Sequence, residues 1–310
     1  MSGRRWIRIA LAVGAALASL FDAKAATRPE RLTIADPVAG AVEIGVWTPE
    51  GEEAGRPLVV ISHGSGGDYL SHSDTAQALA GAGFVVAALT HSGDNWRDRS
   101  LVAAIWQRPR QLRLLVDYMT GTWPGRARID AAKIGAFGFS AGGFTVLVAG
   151  GGRPDLGRVR DHCSAHPDFF DCRIASAAAP FLPLLPRVDW AHDSRIRALV
   201  VAAPALGYTF GQEGLAAVRA PVQLWSGDSD EILPHRFYAE PVREALAGRV
   251  DYRLVPGAGH FDFLAPCTTE AAVARPQLCT SLPGFDRSAF HDVLNGAVIA
   301  FFRDRLVRRD

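Results

Sequence analysis

From residue 57 onward, short apolar runs of strand length alternate with helix-length patterns, and this alternation constrains the fold more than any other feature. The runs at residues 57–62 and 84–89 are nearly continuous, as strands buried on both faces require, and further strands are read at residues 134–139, 198–203, 222–226 and 252–255. Between them, residues 73–82 carry apolar positions at helical spacing. Residues 107–118 do the same through Leu112, Leu115 and Val116, and further helices are predicted through Ala149 and from Ser288 to about Val307. The pattern predicts an α/β protein with a mostly parallel central sheet and helices on both faces. Residues 31–47 instead alternate and turn at Asp36-Pro37 and Ala39-Gly40, which reads as an antiparallel hairpin opening the domain. The alternation lapses over residues 150–197, rich in Gly, Pro and His, and this stretch is read as a cap inserted over the C-terminal edge of the sheet.

Two other segments bear on where such a domain works. Arg4, Arg5 and Arg8 precede an apolar run over residues 9–21, followed by Ala23-Lys24-Ala25. A run of about 13 residues is short of the roughly 20 that a spanning helix needs, and the small-x-small pattern suits cleavage, so residues 1–25 are read as a signal peptide. The mature chain, a single domain over residues 26–310, would be exported to the periplasm or secreted, with no stable membrane span. Removing Arg4, Arg5, Arg8, Lys24 and Asp22 from 33 basic and 32 acidic residues leaves 29 and 31. A near-neutral chain without a basic stripe is a poor nucleic-acid binder. All four cysteines lie in the exported part, where two disulfides are expected. Three connectivities exist, and the local pairs Cys163–Cys172 and Cys267–Cys279 each close a loop within one segment. A zinc site at His162, Cys163, His166 and Cys172 is the competing reading, but the paired spacings of structural zinc are absent.

The chemistry centres on Gly138-Phe139-Ser140-Ala141-Gly142. As a bare G-x-S-x-G the signal is weak; its position between an apolar strand run and a helical pattern makes it specific. That context is a nucleophile elbow, a sharp turn that pushes a serine hydroxyl clear of the sheet edge. Ser140 would then need a base, and His260, in the loop after the last predicted strand, falls on the same edge. The orienting acid should lie between them in the chain. Asp230, just past the strand at 222–226, is the choice, with Asp228 and Glu231 as neighbouring alternatives. The oxyanion would be held by the backbone N–H groups of Ala141 and of Ser65, the latter in the Ser62-His63-Gly64-Ser65-Gly66-Gly67 loop. His63 is read as a brace for that loop. No H-E-x-x-H, P-loop or dinucleotide fingerprint is present, so neither metal nor organic cofactor is expected.

These segments, with Thr90-His91-Ser92-Gly93-Asp94, Arg108-Pro109-Arg110, Gly227-Asp228-Ser229-Asp230-Glu231-Ile232-Leu233-Pro234 and Gly259-His260-Phe261-Asp262, resemble the α/β-hydrolases over essentially residues 32–307. Within that superfamily they are similar to dienelactone-hydrolase-like proteins related to platelet-activating-factor acetylhydrolases. The resemblance implies the α/β-hydrolase fold, with Ser140 as nucleophile, Asp230 as acid, His260 as base and Ser65 and Ala141 as oxyanion donors. Dienelactone hydrolases proper carry a cysteine where this chain has Ser140, which speaks against dienelactone as substrate. The expected activity is hydrolysis of a small-molecule or lipid-like carboxylic ester. A polyester-fragment hydrolase or serine peptidase with the same residues, or a binding protein that has lost the chemistry, are the alternatives. Trp96 and Trp106 stand in loops that could wall an acyl pocket.

Overall fold

The central strands β3 (Arg56–Ser62), β4 (Val85–Leu89), β6 (Ile196–Ala202) and β7 (Val222–Gly227), and β5 (Ile129–Phe139) from Ile134 onward, are buried almost throughout, because both faces of the sheet are covered there. Successive side chains on a strand point to opposite faces. Leu58 and Val60 accordingly enter one core, with Leu112, Leu115 and Phe144, while Val59 and Ile61 enter the other, with Leu79, Phe137 and Phe302. The computed structural model describes residues 28–180 and 189–308. The leader expected over residues 1–25, and residues 181–188 of the expected cap, lie outside the described residues.

β1 (Glu30–Asp36) and β2 (Gly40–Trp47) form the hairpin, and β2 is also antiparallel to β4. From there to β8 (Val250–Val255) every pair is parallel, giving, among the described residues, eight strands in the order β1-β2-β4-β3-β5-β6-β7-β8. The first core lies under α2 (Gln107–Gly121), α3 (Ala141–Ala149) and α7 (His235–Ala245), the second under α1 (Ser73–Gly81) and α10 (Arg287–Phe302). The chain leaves β3 for β4 on one side and returns to β5 on the other. Such a reversal opens a crevice at the strands' C-terminal ends. The loop after β3 and the turn after β5 meet there.

The expected terminal helix over residues 288–307 is divided: α10 ends at Phe302 and a wider π turn carries Arg303–Val307. Beyond the short α6 (Gln212–Leu215), sequence periodicity passed over α7, which restores the strand–helix alternation between β7 and β8. Its buried positions, Tyr238, Ala239, Val242 and Ala245, follow helical spacing, but Pro241 sits inside the helix and masks the pattern. Within the irregular stretch after α3 lie α4 (Arg158–Ala165) and α5 (Phe170–Ala178). Cys163 and Cys172 join these two helices at disulfide distance, and Cys267, just ahead of the short helix α8 (Thr269–Ala274), is joined to Cys279 at the end of α9 (Pro276–Cys279). Loops of this size contribute about 3 kcal/mol each in the chain-entropy account of disulfides. No helix among the described residues is long and apolar enough to cross a membrane.

Candidate active site

Ser140 joins β5 to α3 with φ 55° and ψ −119°, a left-handed conformation that a non-glycine residue adopts only under constraint. Strain of this kind costs about 1–3 kcal/mol. Its surroundings hold it there: the Ser140 N–H donates to Ala202 O at 2.9 Å, and the Ser140 carbonyl accepts from Ala205 and Phe144 N–H. The flanking glycines are required by close approach. A methyl group on Gly138 would collide with the Gly142 carbonyl, and one on Gly142 with the carbonyl of Ser62 at the end of β3. The turn is thus wedged against the neighbouring strand and the serine side chain is left facing the crevice.

His260 enters from the turn after β8. Its Nε2 lies 3.1 Å from Ser140 Oγ, and its Nδ1 lies 2.7 Å from Asp230 Oδ2. All three side chains are buried. Asp230 Oδ1 is occupied separately, accepting the Ile232 N–H at 3.0 Å and the Leu233 N–H at 2.7 Å. The two nearby carboxylates do other things. Asp228 accepts from the Gly257 N–H at 2.7 Å, and Glu231 Oε2 lies 3.4 Å from the His260 backbone N–H. Of the three acids considered from the sequence, Asp230 alone reaches the imidazole. The His260 turn is pinned by Asp262, whose Oδ2 accepts the Gly259 N–H at 2.8 Å while Oδ1 accepts from Arg287 Nε at 3.0 Å. His291 Nε2 donates to the Asp262 carbonyl at 2.8 Å, so α10 grips that turn twice.

Beneath the loop after β3 lies a buried ion pair, Arg108–Asp94, to which sequence reasoning assigns no role. Buried Arg108 donates to Asp94 Oδ2 at 2.7 Å, to Thr145 Oγ1 at 3.2 Å and to the His63 carbonyl, joining the ends of β3 and β4 to α3. Breaking such a buried pair costs about 3–5 kcal/mol, because the remaining charge is stranded. Asp94 Oδ1 in turn accepts from Ser65 Oγ at 2.7 Å and the Gly66 N–H at 3.1 Å, which positions the Ser65 backbone beside Ser140. His63 braces the same loop. Its Nε2 accepts the His91 N–H at 3.0 Å, so its Nδ1 carries the proton donated to the Gly64 carbonyl. Burial, reinforced by the Arg108 charge, holds the pKa of His63 and of His91 well below the usual histidine range, keeping both neutral. Ala141 opens α3, where a backbone N–H has no intrahelical acceptor.

Ser140 and Ser65 line two cavities. One, of about 180 Å³, is walled by apolar groups including Ile105, Trp106, Val159, Phe170 and Ile174, the last three from α4 and α5. The other, of about 460 Å³, contains His260, Trp96, Arg99 and Arg275. The two tryptophans singled out in the sequence therefore separate, Trp106 into the apolar cavity and Trp96 into the polar one. Asp171, also on the apolar cavity's wall, accepts from Tyr208 and Tyr238 hydroxyls at 2.8 and 2.7 Å, docking α5 onto the body. Side-chain ligand atoms of His162, Asp171 and Cys172 lie within 4.8 Å of one another, but the Cys172 sulfur is bonded to Cys163, which removes it as a thiolate ligand.

No known protein-family profile matches the chain. An uncharacterized protein of Mycobacterium tuberculosis, found in two strains, is 27% identical over 224 residues, 71% of this chain and 69% of its own length. The bis(hydroxyethyl) terephthalate hydrolase of Streptomyces coelicolor is 26% identical over 170 residues, which are 54% of this chain and 40% of that protein. The architecture is the α/β-hydrolase fold. In that fold the catalytic groups sit on the loops at the C-terminal edge of the sheet, and here this edge carries Ser140, Asp230, His260 and the Ser65 loop.

Proposed function

We propose that this protein is a serine hydrolase that cleaves a carboxylic ester through an acyl-enzyme. The observation that carries the reading is the unbroken Asp230–His260–Ser140 hydrogen-bond chain, set at a strained turn on the wall of an apolar cavity. His260 Nε2 takes the Ser140 proton as Oγ attacks the acyl carbon, and the carbonyl becomes an oxyanion held by the Ser65 and Ala141 N–H groups. The tetrahedral adduct collapses, its C–O bond breaks, and the imidazolium returns the proton to the departing alcohol. Water then repeats the sequence on the acyl-enzyme, releasing the acid and restoring Ser140. Asp230 keeps the proton on Nδ1, so that Nε2 is free to accept.

The apolar cavity beside Ser140 suits the acyl limb of an apolar ester, since its charged groups, Asp94 and Asp171, are already engaged. The name of the Streptomyces relative, an ester hydrolase, points the same way. The test is labelling of the folded protein with a fluorophosphonate, followed by peptide mapping. Stoichiometric modification at Ser140 is expected; an unmodified protein would sink the mechanism.

Export of the mature chain belongs to the same proposal. The basic, apolar and small-residue pattern of residues 1–25, together with two cysteine pairs at disulfide distance, supports it. The exported protein is expected to begin at Ala26. Intact mass and N-terminal sequencing of protein recovered outside the cytoplasm check this, and an intact Met1 on that material would contradict it.

A further inference from the structure

The two cavities at Ser140 differ in chemistry, and the candidate catalytic groups divide between them. Ala141, an oxyanion donor in the proposed mechanism, lines the apolar cavity and is absent from the wall of the other; His260 lines the polar cavity and is absent from the wall of the first. In acyl transfer the base returns its proton to the leaving oxygen, so the leaving limb lies on the imidazole side. The acyl limb is thereby assigned to the apolar cavity, under α4 and α5, and the alcohol limb to the polar one.

The alcohol cavity carries an excess of positive charge. Arg99 Nε lies 3.7 Å from Asp94, but that carboxylate is already paired with Arg108 at 2.7 Å, so two guanidinium groups share one acid. Arg275 stands over the Trp96 ring, 5.3 Å from its centroid, and no carboxylate among the described residues lies within ion-pair distance of it. Arg97, on the same ring at 4.6 Å, is paired with Glu43. The acid on this cavity's wall is Asp68, whose Oδ1 accepts the Leu70 N–H. The segment bearing Arg275 is closed by the Cys267–Cys279 pair, which constrains the backbone on either side of it.

We propose that the preferred substrates are esters of an apolar acid whose alcohol limb ends in a carboxylate, received by Arg275, seated on the Trp96 ring, and by Arg99. This rests on the serine-esterase reading above. An exposed guanidinium pairing of this kind gives a modest, salt-sensitive preference, about twofold to fivefold in kcat/KM. It is read with three hexanoate esters of one shape, whose alcohols are para-(hydroxymethyl)benzoate, para-(hydroxymethyl)benzamide and the para-(trimethylammoniomethyl)benzyl alcohol. The expected order is carboxylate, then amide, then cation, with the spread shrinking as salt rises. Arg275→Gln brings the carboxylate-to-amide ratio toward one and Arg275→Glu inverts it; taking ratios within each variant cancels any general loss. Equal rates on all three esters, or a ratio unaltered in Arg275→Glu, overturn the limb assignment while leaving the esterase reading intact. Failure to cleave any ester, with no fluorophosphonate labelling, overturns the esterase reading and this inference with it.

Discussion

Replacing Ser140 by alanine is expected to lower kcat for a cleaved ester by about 10⁵- to 10⁶-fold, with KM little changed. In the proposed mechanism the hydroxyl is the attacking group, and it lies 3.1 Å from His260 Nε2. What survives is the slower hydrolysis by water supported by the oxyanion donors and the cavity walls. Folding is affected far less. The lost hydrogen bond leaves His260 Nε2 without its Ser140 partner, at about 1 kcal/mol, a shift of roughly 2–4 °C in a domain of this size. Ser140→Gly separates catalysis from strain. Glycine accepts φ 55° without a steric penalty, so this variant should be equally inactive yet melt at or above the temperature of Ser140→Ala. Activity in Ser140→Ala within tenfold of the parent would falsify the nucleophile assignment.

Asp230→Asn is expected to cost about 10⁴-fold in kcat for a reason peculiar to how this acid is held. Oδ1 accepts two backbone N–H groups, from Ile232 and Leu233, so an asparagine must place its carbonyl oxygen there. Its NH₂ then faces His260 Nδ1, which has to become an acceptor. The imidazole proton moves to Nε2, and a protonated Nε2 cannot take a proton from Ser140. Asp228→Asn and Glu231→Gln leave the tautomer alone and should each lose less than about tenfold, since neither carboxylate reaches the ring. Steady-state kinetics on all three variants checks the ranking, and an Asp228 or Glu231 effect as large as that of Asp230 contradicts it.

The sheet was legible because strands covered on both sides must be apolar at every position, and few other environments impose that. Ser140 was legible for a related reason, since its glycines answer to backbone collisions with Ser62 and Gly142. Asp230 could be narrowed only to a neighbourhood. Which of Asp228, Asp230 and Glu231 turns inward depends on turn geometry across three residues, and spacing does not encode it. Helix α7 was hidden by Pro241. The Arg108–Asp94 pair left no periodic trace at all, because its partners belong to different elements and meet only when β3, β4 and α3 are assembled. Charged residues outside a periodic face read as solvent-exposed until the fold buries them.

The grip of α10 on the His260 turn also ties the imidazole to a helix that carries none of the three triad side chains. Arg287 and His291 hold Asp262, which holds the turn that presents the imidazole, whereas Ser140 and Asp230 hang from the ends of β5 and β7. Damage to that one helix would reach the proposed chemistry through geometry alone, by leaving the serine without a placed proton acceptor.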